Sequence, residues 1–342
     1  MATILVLAAL CITVYSTTIE EFKVSPGNVD KLEGQAFVDF INKNQPFYKA
    51  EVPKMSFKEF QSRLMDPKYL EETVNAKPAN ELVINEPIPE SFDAREKWPE
   101  CDSIKLVRDQ ANCGSCWAVS AASAMSDRLC VQSHGKKKAI ISDSDILACC
   151  GDFCGHGCNG GKLIRAWEYV INEGSCSGGP YNTRNCCKPY PFHPCGKHKG
   201  QPYYGECYGV QQVTPNCVDK CQGSYYKRYI VDKMYALSAY NVNATEEAIQ
   251  KEIMVNGPVQ TGMRVYSDFY YYKSGVYVNK GKSFCGAHAV KIVGWGVENG
   301  VKYWIVSNSW NYDWGENGFF KILRGANECN IESWVVAGMM KV

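Results

Sequence analysis

Apolar and polar positions change rhythm three times along this chain. Near the start, Ile4 to Val14 is an apolar run. It is too short to cross a bilayer, which takes about 20 residues. Met55 to Met65 sets Phe57, Phe60, Leu64 and Met65 at helical spacing. Cys116 to Cys130 repeats Ala, Met and Leu with no Pro or Gly to interrupt it, and predicts a longer helix. After Tyr235 the rhythm shortens. Val259 to Val265, Gly275 to Val278, Ala287 to Gly294, Lys302 to Ser307 and Gly318 to Leu323 each predict a strand. Helices weighted to the front and strands to the back predict an α+β fold. Residues 149–161 form a Cys- and Gly-rich loop. Residues 176–223 lack periodicity and hold seven cysteines, which marks a stapled, functional loop rather than a disordered one.

The first quarter of the chain differs from the rest. Residues 17–87 contain no Cys and no Trp, and end in the helix-resisting stretch Asn85-Glu86-Pro87-Ile88-Pro89. The reading is a signal peptide over 1–16, cut after Val14-Tyr15-Ser16, a propeptide over 17–87, and a mature domain over 88–342. The alternative for 17–87 is an ordinary helical subdomain. No other segment approaches 18 consecutive apolar residues, so no membrane span is expected.

With 45% hydrophobic and 21% charged residues, the 342-residue chain can bury a core. Lys+Arg 37 against Asp+Glu 36 leaves a net charge of +1, which argues against a nucleic-acid partner. The 18 cysteines point to an oxidising compartment. Cys11 would leave with the signal peptide, and the odd number remaining implies a reactive thiol or an intermolecular bridge.

One cysteine stands apart. Cys116 opens the uninterrupted helical run, and a helix N-terminus favours a thiolate. Gln110, six residues upstream, can aim its side-chain N–H at an oxyanion, with the Cys116 backbone N–H as a second donor. His288, among small residues in Gly286-Ala287-His288-Ala289, is the candidate base. Asn308, in Ser307-Asn308-Ser309-Trp310, can accept from the imidazole, and Trp310 can shield that bond from water.

Gln110-Ala111-Asn112-Cys113-Gly114-Ser115-Cys116-Trp117 contains the C-G-[SA]-C-[WY] signature of papain-type nucleophiles. Over about residues 89–342 the chain resembles the papain family, and within it the cathepsin B branch. Ser91 to Trp98, Cys149-Cys150-Gly151 and Gly157-Cys158-Asn159-Gly160-Gly161 carry the likeness. His288 and Asn308 follow Cys116 by 172 and 192 residues, against about 130–150 in the wider family. The excess fits an occluding-loop insertion at about 186–221.

The resemblance implies a papain-like two-domain fold, with a helical left domain, a β-barrel-like right domain and the active site in the cleft between them. It implies six disulfides: Cys101–Cys130, Cys113–Cys158, Cys149–Cys217, Cys150–Cys154, Cys187–Cys221 and Cys195–Cys207. Cys176, Cys186, Cys285 and Cys329 remain, and two more bridges would satisfy parity. Zinc ligation is the rival use of the clustered cysteines.

Gly160 and Gly161 are expected to line the substrate cleft. Trp334 stands where cathepsin B carries an acid in the pocket for the P2 residue, so apolar P2 residues are expected, unless Glu332 serves instead. His198 is expected to hold a substrate's terminal carboxylate, and Lys197 to tie the loop to Asp109. Asn243-Ala244-Thr245 is a glycosylation sequon.

The implied function is that of a secreted or lysosomal cysteine protease. It would act through a Cys–His thiolate–imidazolium pair and a thioester acyl-enzyme, as an endopeptidase with peptidyl-dipeptidase activity. No metal and no cofactor are expected. Protein and peptide substrates and its own propeptide are the expected partners, on a monomer. The stretch Tyr303 to Glu316 resembles a pattern in haemoglobin-degrading proteases of blood-feeding worms, which leaves dietary haemoglobin or plain family inheritance open. The alternative from another class is a catalytically inactive homologue acting as a binding protein.

Overall fold

The helical run at Cys116 becomes one helix, Cys116–Gln132, and every residue from Cys116 to Val131 in it is buried. A helix buried on all sides belongs at the centre of a fold. The structure, a computed structural model, describes residues 29–71, 82, 84, 86–280 and 282–342. The expected signal peptide and most of the junction near residue 85 lie outside those residues.

Helices Asp143–Cys149 and Leu163–Asn172 accompany the central helix and bury Ile146, Leu147, Ala166, Trp167 and Val170 in a shared core. The second layer is a sheet. Its strands are β1 Tyr48–Ala50, β2 Phe92–Asp93, β3 Tyr240–Asn241, β4 Val259–Tyr266, β5 Tyr272–Tyr277, β6 Phe284–Glu298, β7 Val301–Ser307, β8 Phe319–Leu323 and β9 Val336–Ala337. The central helix packs on β6. Buried ion pairs tie the central helix to the sheet and to helix Glu246–Asn256. Lys291 Nζ on β6 lies 2.5 Å from Asp127 of the helix, and Arg128 lies 2.8 Å from Glu252. Arg128 also donates to the carbonyls of Gly257, Pro258 and Gly338.

The sheet corrects one expectation. Its order is β1-β5-β8-β7-β6-β4-β9-β3, with β2 on β6 off this path, so it is an open sheet and not a closed barrel. The two ends are short strands, three residues in β1 and two in β3, each paired on one side only, with β5 and β9 respectively. Such short edges do not reach round to meet each other.

Strand β1 comes from the N-terminal segment and pairs antiparallel with β5. Before it, helix Gly34–Asn44 buries Phe37, Val38 and Ile41 in the sheet-side core. After it, helix Phe57–Ser62 starts at a capping box made by Ser56 and Glu59. That helix is shorter than the spacing of Met55 to Met65 predicts, because the chain leaves it at Arg63 to enter the groove between helices and sheet.

Candidate active site

The groove is built from both layers. Cys116 lies at the first turn of the central helix, where backbone N–H groups have no intrahelical partner. His288 lies on β6 opposite Met263 of β4, and Asn308 follows directly after β7. His288 Nε2 is 2.8 Å from Asn308 Oδ1, and that oxygen also accepts from the Ser309 N–H at 2.8 Å, which fixes the amide. The imidazole proton therefore sits on Nε2 and leaves Nδ1 as the basic nitrogen. Nδ1 has no hydrogen-bond partner among the described residues. Trp310 covers this pair, its ring centroid 4.7 Å from that of His288.

The backbone N–H groups of Ala289, next in sequence to His288, and of Trp117 and Cys116 itself favour the Cys116 thiolate. Burial nevertheless pushes the Cys116 thiol up to about 12. Burial also pulls His288 down to about 4; the Asn308 bond opposes this, and the positive charge of Arg63 reinforces it. In the full-length chain the pair is therefore neutral.

Gln110 is fully buried. Its Oε1 accepts from Ser309 Oγ at 2.6 Å, which turns its Nε2 toward the groove. There Nε2 donates to the carbonyls of Cys113 at 2.7 Å and Arg63 at 2.8 Å. A carbonyl of the N-terminal segment thus sits on the donor that the sequence suggests for an oxyanion.

The segment continues along the groove as a peptide would. Met65 exchanges two backbone hydrogen bonds with Ala287, at 2.9 and 3.0 Å, and the Asp66 N–H donates to Asn159 O at 3.2 Å. One wall is sheet and the other is the Cys-rich loop. A Cβ on Gly160 would lie 2.5 Å from the Tyr69 ring, and one on Gly161 would lie 2.6 Å from the Trp117 ring. Gly160 therefore lets the segment approach this wall closely, and Gly161 lets the wall pack on the central helix.

A nucleophile-bearing helix, an orienting His–Asn pair, an amide donor and a peptide-shaped groove form an apparatus for acyl transfer. The profile described as papain family cysteine protease matches residues 88–339. The chain belongs to the papain family. It is 45% identical over 340 residues to a gut-specific cysteine proteinase of Caenorhabditis elegans, covering 99% of each chain. It is 44% identical to cathepsin B-like cysteine proteinase 1 of Ostertagia ostertagi, covering 97% of this chain and 98% of the relative. Its fold matches the solved structure of proCathepsin B S9 from Trypanosoma congolense with a TM-score of 0.77 at 36% identity, covering 91% of this chain and 99% of the other.

Against this papain-family frame the remaining candidates fall into place. The structure forms the six bridges Cys101–Cys130, Cys113–Cys158, Cys149–Cys217, Cys150–Cys154, Cys187–Cys221 and Cys195–Cys207. The two further bridges suggested by parity do not form. Cys176 and Cys186 are buried thiols, Cys285 is a half-exposed one, and Cys329 lies beside the Glu328 carboxylate. A buried thiol behaves as a small apolar side chain and needs no partner. Among the described residues, Cys176, Cys187 and Asp232 approach metal-site density, but the Cys187 sulfur is held in its bridge to Cys221.

The loop expected to occlude the groove is fastened differently from the expectation. His198, not Lys197, makes the tie. Its Nδ1 is 2.8 Å from Asp313 Oδ1 and its Nε2 is 3.8 Å from Asp109 Oδ2, with Cys195 O at 3.0 Å. The five-atom reach of a lysine is not needed where an imidazole, one residue on, fits between two carboxylates. Burial disfavours the His198 charge, yet the Asp313 bond and the pull of Asp109 and Asp313 outweigh it and raise its pKa.

Glu332 is occupied, accepting from Trp304 Nε1 and the N–H groups of Gly325 and Asn327. Trp334 is half-buried against the helical core. Asn243 is exposed, and Thr245 of its sequon caps helix Glu246–Asn256.

Four contributors escape the sequence reading. Ser309 and Asp313 lie inside quoted motifs without an assigned role. Arg63 and Leu70 carry no local signal, and only the groove gives them meaning.

Proposed function

We propose that this cathepsin B-like cysteine protease cuts peptide bonds by acyl transfer at Cys116. The sulfur attacks the scissile carbonyl, Gln110 Nε2 and the Cys116 N–H stabilise the oxyanion, and His288 protonates the leaving amine. Water then hydrolyses the thioester. The observation that carries this reading is the Arg63 carbonyl on Gln110 Nε2 at 2.8 Å, a peptide carbonyl already lodged at the donor. Residues 17–87 act as a propeptide, 1–16 as a signal peptide, and 88–342 as the enzyme, reached through the secretory pathway to a lysosome or the outside.

The test is hydrolysis of a fluorogenic dipeptide amide after removal of residues 17–87, with a thiol-directed epoxide titrating Cys116. One equivalent of label that abolishes turnover is expected. Cys116→Ser with full activity overturns the mechanism, and a processed chain with no activity on any peptide supports an inactive binding homologue instead.

The loop clasp at His198 supports a second activity, removal of dipeptides from free C-termini, because a loop tied across one end of the groove limits how far substrate extends. Release of dipeptides from a free-acid peptide but not from its amide is the check. The gut-specific relative supports digestion of dietary protein such as haemoglobin, read out by cleavage of haemoglobin at acid pH.

A further inference from the structure

A second cavity of about 280 Å³ lies on the face of the occluding loop turned away from the substrate groove. None of its lining residues lines the cavity that holds His198 and Trp310. The loop supplies Tyr190, Pro194, Gln201 and Tyr204, and the body of the enzyme supplies Asp109 and Tyr312. Tyr181 and Phe192 complete an aromatic lining. Tyr181 and Tyr204 meet edge to face at 5.1 Å, and Tyr190 and Phe192 at 5.6 Å, so ring faces and edges both border the space. For scale, a cavity of about 150 Å³ holds benzene. This one has room for a fused bicyclic ring with a short side chain.

Charge narrows the class of occupant. Three charged side chains line the cavity: Arg108, Asp109 and Asp143. Arg108 and Asp143 neutralise each other at 2.6 Å. Asp109 is neutralised more loosely, with Arg63 Nη1 3.9 Å from its Oδ1 and His198 Nε2 3.8 Å from its Oδ2, both beyond hydrogen-bond distance, and aromatic faces add attraction for a cation. Asp109 Oδ2 accepts from Asn311 Nδ2 at 2.8 Å, and Asn311 also borders the cavity. From the opposite side, His198 Nε2 approaches that same oxygen to 3.8 Å.

The geometry points to a binding site for a small aromatic amine, with the ring among Tyr181, Tyr190 and Tyr204 and the ammonium toward Asp109. An occupant there shares Asp109 with the His198 clasp. Binding therefore weakens the hold of the loop and lowers dipeptide release relative to internal cleavage. That second half rests on the clasp reading above; the binding itself does not.

The test uses three isosteric probes, tryptamine, tryptophol and indole-3-acetate, with charges +1, 0 and −1. They are titrated by ligand-observed NMR into the full-length chain and into Ile140→Trp, which places an indole in the cavity. Tryptamine is expected to bind with a Kd of about 1 mM. It should bind at least about threefold more tightly than tryptophol, with the acetate weakest.

Ile140→Trp should abolish binding, and Tyr204→Ala, at an exposed loop position, should weaken it. Equal binding to Ile140→Trp, no binding of tryptamine at 10 times about 1 mM, or the acetate binding most tightly overturns the site. Activity assays on the processed enzyme then read the coupling separately. A free-acid to amide cleavage ratio unchanged by saturating tryptamine overturns the link to Asp109 while the binding result stands.

Discussion

Removing residues 17–87 should change the chemistry of Cys116 as well as its accessibility. In the full-length chain burial holds the thiol at about 12, against an ordinary 9.0. That rise corresponds to about 4 kcal/mol against the thiolate. His288, at about 4, is neutral at pH 6 and offers no countercharge. At pH 6 about one Cys116 in 10⁶ is then ionised.

Opening the groove readmits water, removes the Arg63 charge from beside His288, and lets imidazolium and helix N-terminus act together on the sulfur. Such settings bring thiols to about 3.5–7.5. The less basic thiolate is intrinsically less nucleophilic, by about half a logarithm per pKa step. Six logarithms gained in ionisation are thus offset by about three to four. A net increase of at least about 100-fold in alkylation rate at pH 6 remains.

The assay is iodoacetamide labelling of Cys116, read by peptide mass spectrometry from pH 4 to 9. The processed chain should reach a plateau on the acid side. The full-length chain should climb about tenfold per pH unit through pH 9, since its thiol titrates far above. Steric cover alone lowers the rate without moving the profile. A full-length chain that reaches its plateau at the same pH as the processed chain refutes the electrostatic argument.

Leu70→Ala should loosen the segment, because the Leu70 side chain lies where a Cβ on Gly262 would be, 2.4 Å away. Losing that buried side chain costs about 2–5 kcal/mol, so Cys116 labelling of the full-length variant should rise at least tenfold over the parent. The His198 clasp carries a sign that can be checked. Its pKa is raised in the folded chain, so the clasp is complete below about 6.5 and is lost as pH rises through the higher folded value. The free-acid to amide cleavage ratio should fall above neutrality, and His198→Gln should show a low, flat ratio. Trp334 offers a guanidinium no charge and Glu332 is fully engaged. Phe-Arg amides should therefore exceed Arg-Arg amides in kcat/KM, and Trp334→Glu should narrow the gap by about tenfold.

The parts legible in sequence were those with periodicity or fixed spacing. Cys116 to Cys130 reads as a helix because nothing in it breaks the run, and the five strand segments after Tyr235 reappear with shifted bounds, Ala287 to Gly294 growing into the longer strand Phe284–Glu298. The order Cys116, His288, Asn308 singles out the candidate site in the sequence because each residue type suits a distinct task. Periodicity says nothing about closure, so the open sheet was not foreseen; its outcome depends on two- and three-residue edge strands. Register inside an aperiodic loop is equally silent, so the sequence does not tell Lys197 from His198 as the residue that meets Asp109. Helix Gly34–Asn44 and strand β1 were missed since their apolar faces only make sense against Tyr271 and β5, far along the chain. Parity misled for Cys176 and Cys186, because counting thiols ignores that burial alone satisfies them.

The grip of the N-terminal segment divides into two kinds of contact, and the division explains how a groove built to cut peptides tolerates one. In the groove, Arg63 O, Met65 and Asp66 use backbone hydrogen bonds. These are bonds that any extended peptide can form, and each exchange of such bonds with water contributes little net free energy. The anchoring lies outside the groove. Phe37, Ile41 and Tyr48 join the sheet core, and Phe60 meets Tyr270 and Trp310 at 5.2 and 5.5 Å. Burying a side chain of this size is worth about 1.5–3 kcal/mol. The anchor raises the effective concentration of residues 63–71 in the groove without any bond there being strong. A cut between segment and enzyme removes the tether but leaves the anchor, so release depends on weakening the apolar seat on the sheet rather than on the groove contacts.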